Sequence, residues 1–278
     1  MTSEIDIYND YMYCKEIINK HSKSFSIVFS QLPEEKKNAI FAVYAFCRKL
    51  DDSIDVYKDN KMLTKYEIFF KEMLLGKTIN EPIFLALQDS FKKFDLSPRP
   101  FFELINGIRS DQNFEQPQSE KELLNYCYQV AGTVGEAILP ILAKENHQEL
   151  RNDAISLGCA MQLTNILRDV GQDLGDGRIY FSKDTMEYFG ITVIDQQFVP
   201  KKNYQLMWEY YASKAEDLYI EGLSHIYLYD ADSKMIVKSA AEVYKAILSA
   251  VRKIDYSLDK KATVSRMEKI KILSKNTK

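Results

Sequence analysis

The chain has 278 residues, of which 46% are hydrophobic, and its net charge is −3 with both signs mixed along the sequence. This length is ample for a substantial core, and the charge leaves no electrostatic footprint for nucleic acid. Because the chain holds only 10 Gly and 7 Pro, its composition favours long helices over many short strands.

The N-terminus and the cysteines bear on the cellular compartment. The first ten residues, MTSEIDIYND, lack the basic start and apolar core of a signal peptide. No apolar run approaches the roughly 18 residues that a membrane helix needs. Cys14, Cys47, Cys127 and Cys159 form no CxxC pair and have apolar neighbours, as is typical of free thiols in a reducing compartment. We therefore expect a cytoplasmic protein whose membrane contact is at most peripheral, at the inner face.

Helical spacing of apolar residues recurs along the chain. Three long helices are predicted over residues 32–55, 121–143 and 152–173. Two glycines then break the pattern, and Ser182 can begin a short helix that ends at Gly190. After a Pro-containing loop at 198–203, further helices are predicted over about 204–228, 233–257 and 260–274. No strand pattern is recognisable, so the sequence predicts a single all-α domain over residues 1–278, a bundle of more than four helices.

The first long helix ends in RKLDDSID, residues 48–55. Asp51 and Asp55 are four residues apart and lie on one helix face, whereas Asp52 points about 100° away from Asp51. The face of Asp51 also carries Tyr44, Cys47 and Arg48. Tyr and Cys are poor choices for a solvated face, and Arg supplies a rigid donor fork. This face is therefore predicted to line a cavity.

The third long helix carries a matching pair, Asp169 and Asp173. Helical intervals back from Asp173 give Asp169, Asn165, Gln162 and Gly158. Leucines and a valine occupy the other faces. Short amides and aspartates within an otherwise apolar helix indicate the polar lining of a cavity rather than a solvated surface.

Buried carboxylates that face one another need a positive partner, and three interpretations stay open. The acids pair with Arg48, Arg168 and Arg178 as a structural network, or they share protons in acid–base chemistry, or they bind a divalent metal. Oxygen donors without a nearby His or Cys suit magnesium better than zinc, and magnesium held by few carboxylates usually bridges to substrate phosphates. Departure of a diphosphate is the predicted chemistry, and the many nearby aromatic rings suit a hydrocarbon and a carbocation.

Two further features leave alternatives open. Gly132 and Gly135 lie inside the second long helix, where glycine permits close approach of a ligand or of another helix. From Arg252 to Lys278 there are nine Lys or Arg against three Asp or Glu. That segment is either a solvated helix or a basic flap near an anionic ligand or a membrane surface.

Four segments resemble the squalene/phytoene synthase family: HSKSFS (21–26), YAFCRKLDDSID (44–55), YCYQVAGTVGE (126–136) and QLTNILRDVGQDLGDGRIYF (162–181). The length and helical plan are also similar, and the resemblance is to the bacterial dehydrosqualene (4,4'-diapophytoene) subgroup. It implies an isoprenoid synthase fold with a central cavity, and magnesium dependence with two or three ions. It also implies head-to-head condensation of two farnesyl diphosphates, through presqualene diphosphate, to dehydrosqualene in C30 carotenoid biosynthesis. That subgroup ends the reaction by losing a proton, so no NADPH is expected.

The resemblance also implies roles for residues. Metal ligands would be Asp51, Asp55, Asn165, Asp169 and Asp173. Contacts with diphosphate or with the water ligands of the metal ions would come from Lys23, Ser24, Arg48, Gln162, Asn165, Arg168 and Tyr180. The reaction centre would hold Tyr44, Tyr126 and Tyr244, and the prenyl tunnels would be shaped by Phe25, Phe29, Val130, Val134 and Gly135. A basic C-terminal residue, Lys261 or Arg266, is expected to reach diphosphate.

Other functions stay open from the sequence. A phytoene synthase would take geranylgeranyl diphosphate, although Phe25 and Phe29 suggest a shallower tunnel that fits the C15 donor. A squalene synthase would use NADPH, and members that do so need no Rossmann motif. An all-α magnesium-dependent nucleotide pyrophosphohydrolase would favour Glu-rich helices and a base pocket. A non-enzymatic helical scaffold would use its aspartates only to pair with arginines. We expect a prenyl diphosphate substrate, no nucleic acid partner, and peripheral membrane contact for product release.

Overall fold

The computed structural model describes residues 4–55 and 60–276, without the side chains of residues 4–6, 55 and 276. The predicted all-α fold is confirmed. The α-helices are α1 (Glu4–His21), α2 (Lys23–Phe29), α3 (Glu34–Asp55), α4 (Asn60–Leu74), α5 (Pro82–Lys93), α6 (Arg99–Ser110), α7 (Glu120–Cys127), α8 (Thr133–Leu142), α9 (Arg151–Gly175), α10 (Lys183–Tyr188), α11 (Lys201–Gly222), α12 (Lys234–Lys253) and α13 (Arg266–Asn276). None of the helices within the described residues is both long and apolar enough to span a bilayer.

The predicted absence of strands is wrong at one place. Between α10 and α11 the chain forms an antiparallel hairpin of β1 (Thr192–Ile194) and β2 (Gln197–Val199). Asp195 and Gln196 form its two-residue turn with φ of 47° and 57°, as a hairpin of this kind requires. Strands of three residues are too short to show a period of two, and the turn lacks a glycine, so the sequence carried no clear signal.

The second predicted helix is divided into α7, a π-helical turn (Tyr128–Gly132) and α8. A π turn inserts one extra residue into a helix, and such turns are frequent at functional sites. Hydrophobic periodicity does not reveal one because the residues on either side keep helical spacing. The extra residue rotates the side chains that follow Cys127 about the helix axis relative to the side chains that precede it.

Glycines bring α9 against the second helical segment. A Cβ at Gly158 would lie 2.3 Å from the Ala131 carbonyl oxygen, and one at Gly135 would lie 2.3 Å from the Ala154 carbonyl oxygen. Real Cβ atoms do not come this close, so both positions require glycine. At Gly135 the structure shows close helix packing, and the same residue also lines the cavity described below.

The helix boundaries at the C-terminal end differ from the prediction. Helix α12 ends at Lys253 rather than near 257, and α13 begins at Arg266 rather than near 260. We call residues 254–265 the strap. It begins with a left-handed turn at Asp255 and Tyr256, with φ of 53° and 55°. It then crosses α9 so closely that a Cβ on Gly171 would lie 1.8 Å from the Leu258 carbonyl oxygen.

Candidate active site

A cavity of about 490 Å³ lies between α2, α3, the π turn, α8, α9 and α12. Its apolar part extends from Phe25 and Phe29 to Leu142, Tyr229 and Val237. The polar side chains that line it include Lys23, Ser24, Tyr44, Arg48, Asp51, Gln162, Asn165, Arg168 and Tyr244. Val130, Val134 and Gly135, from the π turn and α8, also line it. The wall of the cavity therefore has a polar region and a longer apolar region.

Helix α3 brings Arg48 and Asp51 to the cavity lining. The Arg48 guanidinium donates to Asp52, one turn further along the helix. The Nε of Arg48 is buried and has no hydrogen-bond partner in the described part of the chain. A buried donor without an acceptor is costly unless a ligand supplies the acceptor. Asp55 belongs to the same helix, but its side chain lies outside the described residues.

Helix α9 ends in the second pair of aspartates. Asp169 Oδ1 accepts from Arg168 Nε at 2.8 Å and forms an ion pair with Lys261 Nζ at 3.0 Å. Arg168 also donates to Asp169 Oδ2. Burial opposes the charge of Asp169, but the hydrogen bonds and charges of Arg168 and Lys261 outweigh it, so the pKa of Asp169 is lowered. This carboxylate is ionised and already holds two cations.

Asp173, one turn beyond Asp169, is in a different electrostatic state. Burial and the neighbouring charge of Asp169 raise the pKa of Asp173 to about 7. The charge of Arg178 acts in the opposite direction but does not cancel these effects. At neutral pH this carboxyl therefore lacks enough positive charge to stabilise its ionised form.

The donors at this end fit a hard divalent cation. Asn165 Oδ1 is buried and has no hydrogen-bond partner among the described residues. It lies one helical turn before Asp169, and amide and carboxylate oxygens are the ligands that magnesium prefers. Within residues 4–55 and 60–276, no three His, Cys, Asp or Glu side chains are close enough together to hold a metal by themselves. Magnesium held by few carboxylates usually keeps water or substrate oxygens among its ligands.

Two tyrosines of the predicted site lie outside the cavity lining. Tyr126 donates to Asp111 Oδ2 at 3.1 Å, and its hydroxyl oxygen lies 3.4 Å from the hydroxyl oxygen of Tyr180. Arg178 Nη1 donates to the same Tyr180 hydroxyl at 3.4 Å. Asp111 was missed because it follows α6 without any motif, and only the fold brings it here. This cluster adjoins the Asp173 end of α9, since Asp173, Arg178 and Tyr180 border one small recess.

Tyr44 and Tyr244 do line the cavity. Burial raises the pKa of both phenols, so each is a neutral hydroxyl that can donate a hydrogen bond. The Tyr244 ring stacks on Phe25 with centroids 4.7 Å apart, and Phe25 contacts Phe29 at 5.6 Å. These rings border the polar lining on its apolar side. A carbocation next to their faces would be stabilised by cation–π attraction.

Sequence reasoning assigned no role to several lining residues, among them His21, Ser22 and Met161. His21 is the first residue of the segment HSKSFS, which offered a signal. Burial, followed by the charge of Arg48, lowers the pKa of His21. At neutral pH it is therefore an uncharged polar group near the arginine. Met161 gave no signal because it is indistinguishable from a core methionine in sequence.

The raised pKa of Asp173 leads to a stability prediction for the metal-free protein. Since the folded state binds this proton more tightly than the unfolded state, the free energy of unfolding falls as pH rises from about 4 to 7. Asp173→Asn removes the penalty. We expect it to raise Tm at pH 8 in EDTA by about 2–6 °C, after discounting the shift for partial exposure.

Differential scanning calorimetry of wild type and Asp173→Asn at pH 5 to 8 measures this effect. The gap in Tm should shrink as pH is lowered toward 5. Asp217→Asn removes an equal charge from an exposed position on α11 and serves as the control. A lower Tm for Asp173→Asn at pH 8 would show that the charge of Asp173 stabilises the metal-free fold.

The family model for squalene/phytoene synthases matches residues 18–268. The chain is 42% identical over 269 residues to a 4,4'-diapophytoene synthase of Staphylococcus haemolyticus, an alignment that covers 95% of this chain and 94% of the relative. It is 31% identical to chloroplastic phytoene synthase 2 of Oryza sativa subsp. japonica, over 94% of this chain and 68% of the relative.

Solved structures are similar over nearly the whole chain. A dehydrosqualene synthase crystallised with a ligand has a TM-score of 0.91 at 39% identity, covering 98% of this chain and 96% of that one. The squalene synthase HpnC of Alicyclobacillus acidocaldarius has a TM-score of 0.79 at 26% identity, covering 92% and 98%.

Proposed function

The chain belongs to the squalene/phytoene synthase family, and we propose that it condenses two farnesyl diphosphates head to head to dehydrosqualene (4,4'-diapophytoene). The single observation that carries this proposal is the chemistry of the cavity. An unpartnered donor, Arg48 Nε, and an unpartnered acceptor, Asn165 Oδ1, lie in the lining of one cavity that is otherwise largely apolar. A diphosphate supplies the acceptor, its metal counter-ion supplies the positive charge, and a prenyl chain fills the apolar part.

Magnesium, two or three ions, would be held by Asp51, Asp55, Asn165, Asp169 and Asp173, and would supply positive charge that stabilises the departing diphosphate. The chain's own cations complete this task. Arg48 on α3, Arg168 on α9 and Lys23 on α2 all line the cavity. Their fixed charges stabilise negative charge as it develops on the leaving diphosphate oxygens. Ser24 and Gln162 add hydrogen-bond donors to the same lining.

The carbon chemistry takes place next to the aromatic rings. The first farnesyl diphosphate loses diphosphate, and the double bond of the second attacks C1 of the resulting allylic cation. Loss of a proton closes the cyclopropane of presqualene diphosphate. A second diphosphate then leaves, the cation rearranges, and loss of another proton gives the C30 triene centre of dehydrosqualene. Tyr44 and Tyr244, whose hydroxyls stay neutral, stabilise the cations through their ring faces and cannot act as anionic nucleophiles.

This balance requires no reductant, because each condensation releases two diphosphates and two protons. We therefore propose that the enzyme works without NADPH. Each of the two alternative reactions differs from the proposed one in a single reagent. A phytoene synthase uses geranylgeranyl diphosphate, and a squalene synthase requires NADPH for its last step.

The test incubates purified protein with magnesium and farnesyl diphosphate, with and without NADPH, and identifies the extracted lipid by mass spectrometry. A parallel reaction contains geranylgeranyl diphosphate. We expect dehydrosqualene in both farnesyl reactions. Squalene formed only with NADPH, or conversion of geranylgeranyl diphosphate alone, would contradict the proposed reaction. No conversion of either diphosphate would contradict prenyl synthase activity altogether.

We also propose that a cytoplasmic single-domain enzyme releases its hydrocarbon product at the membrane surface. The support comes from α13, where Met267 and Ile270 are 82% and 53% exposed. Arg266, Lys271 and Lys275 are exposed beside them. Cations next to exposed apolar side chains are typical of helices that bind anionic lipid surfaces.

Vesicle sedimentation tests this contact. We expect the protein to bind vesicles that contain phosphatidylglycerol, and pure phosphatidylcholine vesicles only weakly. Met267→Ser with Ile270→Ser should lower the partition coefficient about tenfold, since two apolar side chains no longer enter the interface. Ile220→Ser, at a side chain that is 65% exposed on α11, is the matched control. Equal loss in both variants would point to general surface hydrophobicity instead of α13.

A further inference from the structure

The strap places one cation on the aspartate end of α9. Lys261 Nζ lies 3.0 Å from Asp169 Oδ1 and donates to Gln172 Oε1 at 3.3 Å. Asp169 Oδ1 also accepts from Arg168 Nε at 2.8 Å. One carboxylate that is proposed to bind metal therefore carries two positive side chains in the metal-free protein.

The strap is anchored on both sides of Lys261. Before it, the Tyr256 hydroxyl donates to Glu209 Oε1 at 2.6 Å, and Lys201 Nζ donates to Asp255 Oδ2 at 2.6 Å. After it, the Ala262 side chain is buried, and further along Lys253 Nζ donates to Glu268 at 2.8 Å. The backbone at Lys261 is thus held in place by contacts that do not involve the cavity.

Gly171 makes the position of the strap possible. A Cβ there would lie 1.8 Å from the Leu258 carbonyl oxygen and 2.9 Å from its Cα. These are backbone atoms, so no side-chain rotation could relieve the overlap. Any other residue at 171 would push the strap away from α9, and Lys261 lies only three residues beyond Leu258.

A divalent cation on Asp169 would stand beside two like charges, so one of them must move. The two cations differ in what movement costs. The Arg168 side chain is 21% exposed and faces the cavity, so its departure would leave a largely buried charge. The Lys261 side chain is 55% exposed and can turn its ammonium into water. Lys261 is therefore the group that a metal ion displaces.

We infer that Lys261 is the resident counter-ion of Asp169, that a divalent cation must displace it, and that the contact of Gly171 with Leu258 positions it there. This inference rests on the proposed metal role of Asp169. Gly171 and the strap therefore control the affinity of the site for metal. The ion pair holds the acidic end of α9 together before metal binds, and it lowers the affinity for metal by the free energy of the pair.

The test uses Mn²⁺ alone as the probe, with the full chain and no prenyl diphosphate, and measures its affinity by titration calorimetry and water proton relaxation. Lys261→Met keeps the length of the side chain and removes its charge. We expect it to bind Mn²⁺ about two- to fivefold more tightly, the range that corresponds to one partly exposed ion pair. Lys260→Met removes an equal charge from an exposed neighbour and should leave the affinity unchanged.

Gly171→Ala tests the positioning contact. Alanine is a better helix former than glycine, so α9 itself tolerates the change, and circular dichroism checks the fold. We expect Gly171→Ala to tighten Mn²⁺ binding by the same factor as Lys261→Met. The double variant should show no further gain, because the strap has already moved Lys261 away. Additive effects would overturn the positioning role of Gly171, and the Lys261→Met result stands on its own if Gly171→Ala does not fold.

Asp169→Asn separates this inference from the proposed function. If wild type binds Mn²⁺ through Asp169 and Lys261→Met binds it no more tightly, the counter-ion role of Lys261 is wrong and the metal role of Asp169 remains. The same conclusion follows if Lys260→Met and Lys261→Met have equal effects. If wild type binds no Mn²⁺ in the absence of a prenyl diphosphate, the inference is overturned, whereas the proposed metal dependence of the condensation is not, because substrate oxygens can complete the metal site.

Discussion

Asp51→Asn is expected to lower kcat for farnesyl diphosphate by about 10³-fold while leaving the fold intact. Asp51 lines the cavity from α3, opposite the α9 residues that would hold the same metal ions. Asparagine keeps the size of the side chain and removes the negative charge that would bind the cation. Because that cation acts on the leaving diphosphate, the loss should fall on kcat rather than on substrate affinity. Steady-state kinetics at saturating magnesium measure it.

Asp52→Asn is the matched control on the neighbouring residue. Asp52 holds the Arg48 guanidinium and does not line the cavity. Its loss leaves the metal ligands in place but frees Arg48 to take other positions, so we expect a decrease of only about tenfold, seen mainly in KM. If both variants lost activity equally, the negative charge of this helix end would matter as a whole, and the assignment of Asp51 as ligand would fail.

Phe25→Ala is expected to change the length of the donor that the enzyme accepts. Phe25 lies in the cavity lining, stacked on Tyr244 and in contact with Phe29. Removing the ring lengthens the apolar space next to the reaction centre. The ratio of kcat/KM for geranylgeranyl diphosphate to that for farnesyl diphosphate should rise about 10- to 100-fold, the usual range for discrimination by apolar contacts. Competition between the two donors, followed by analysis of C30 and C40 products, measures this ratio.

Ile27→Ala controls for the loss of apolar volume on the same short helix. Its side chain is 44% exposed and does not line the cavity. It should leave the donor ratio unchanged. If Phe25→Ala lowered kcat/KM for both donors equally, then Phe25 would act by holding Tyr244 through their stacking and not by limiting the tunnel.

The sequence predicted the spacing within each helix but not which helices face one another. Asp51 on α3, and Asn165 and Asp169 on α9, follow from helical period alone, because positions three to four residues apart share a face. That Arg48 and Asn165 line one cavity depends on how the helices pack. Packing in turn depends on glycine contacts such as Gly158 with Ala131, which local sequence does not encode.

For Tyr126 and Tyr180, a match to a family motif does not predict the position of the side chain. Both stand in segments that resemble the family, yet in this structure they hydrogen-bond to each other beside Asp111 rather than lining the cavity. Their proposed contacts with substrate therefore remain a prediction. The π turn immediately after Cys127 shifts the helix register, and hydrophobic periodicity carries no sign of that shift.

By itself, the sequence determined the all-α class, the two aspartate pairs with their arginines, and a family resemblance from residue 21 to 181. These are local properties, set by helix propensity and by a period of 3.6 residues. Only the tertiary structure decided that Lys261, rather than Arg266, reaches Asp169. Gly171 of α9 and Leu258 of the strap, which are in contact, are 87 residues apart in the sequence. This contact forms because Gly171 has no side chain, so the backbone of the strap can pass close to the backbone of α9. No sequence pattern within α9 or the strap indicates that these two segments meet.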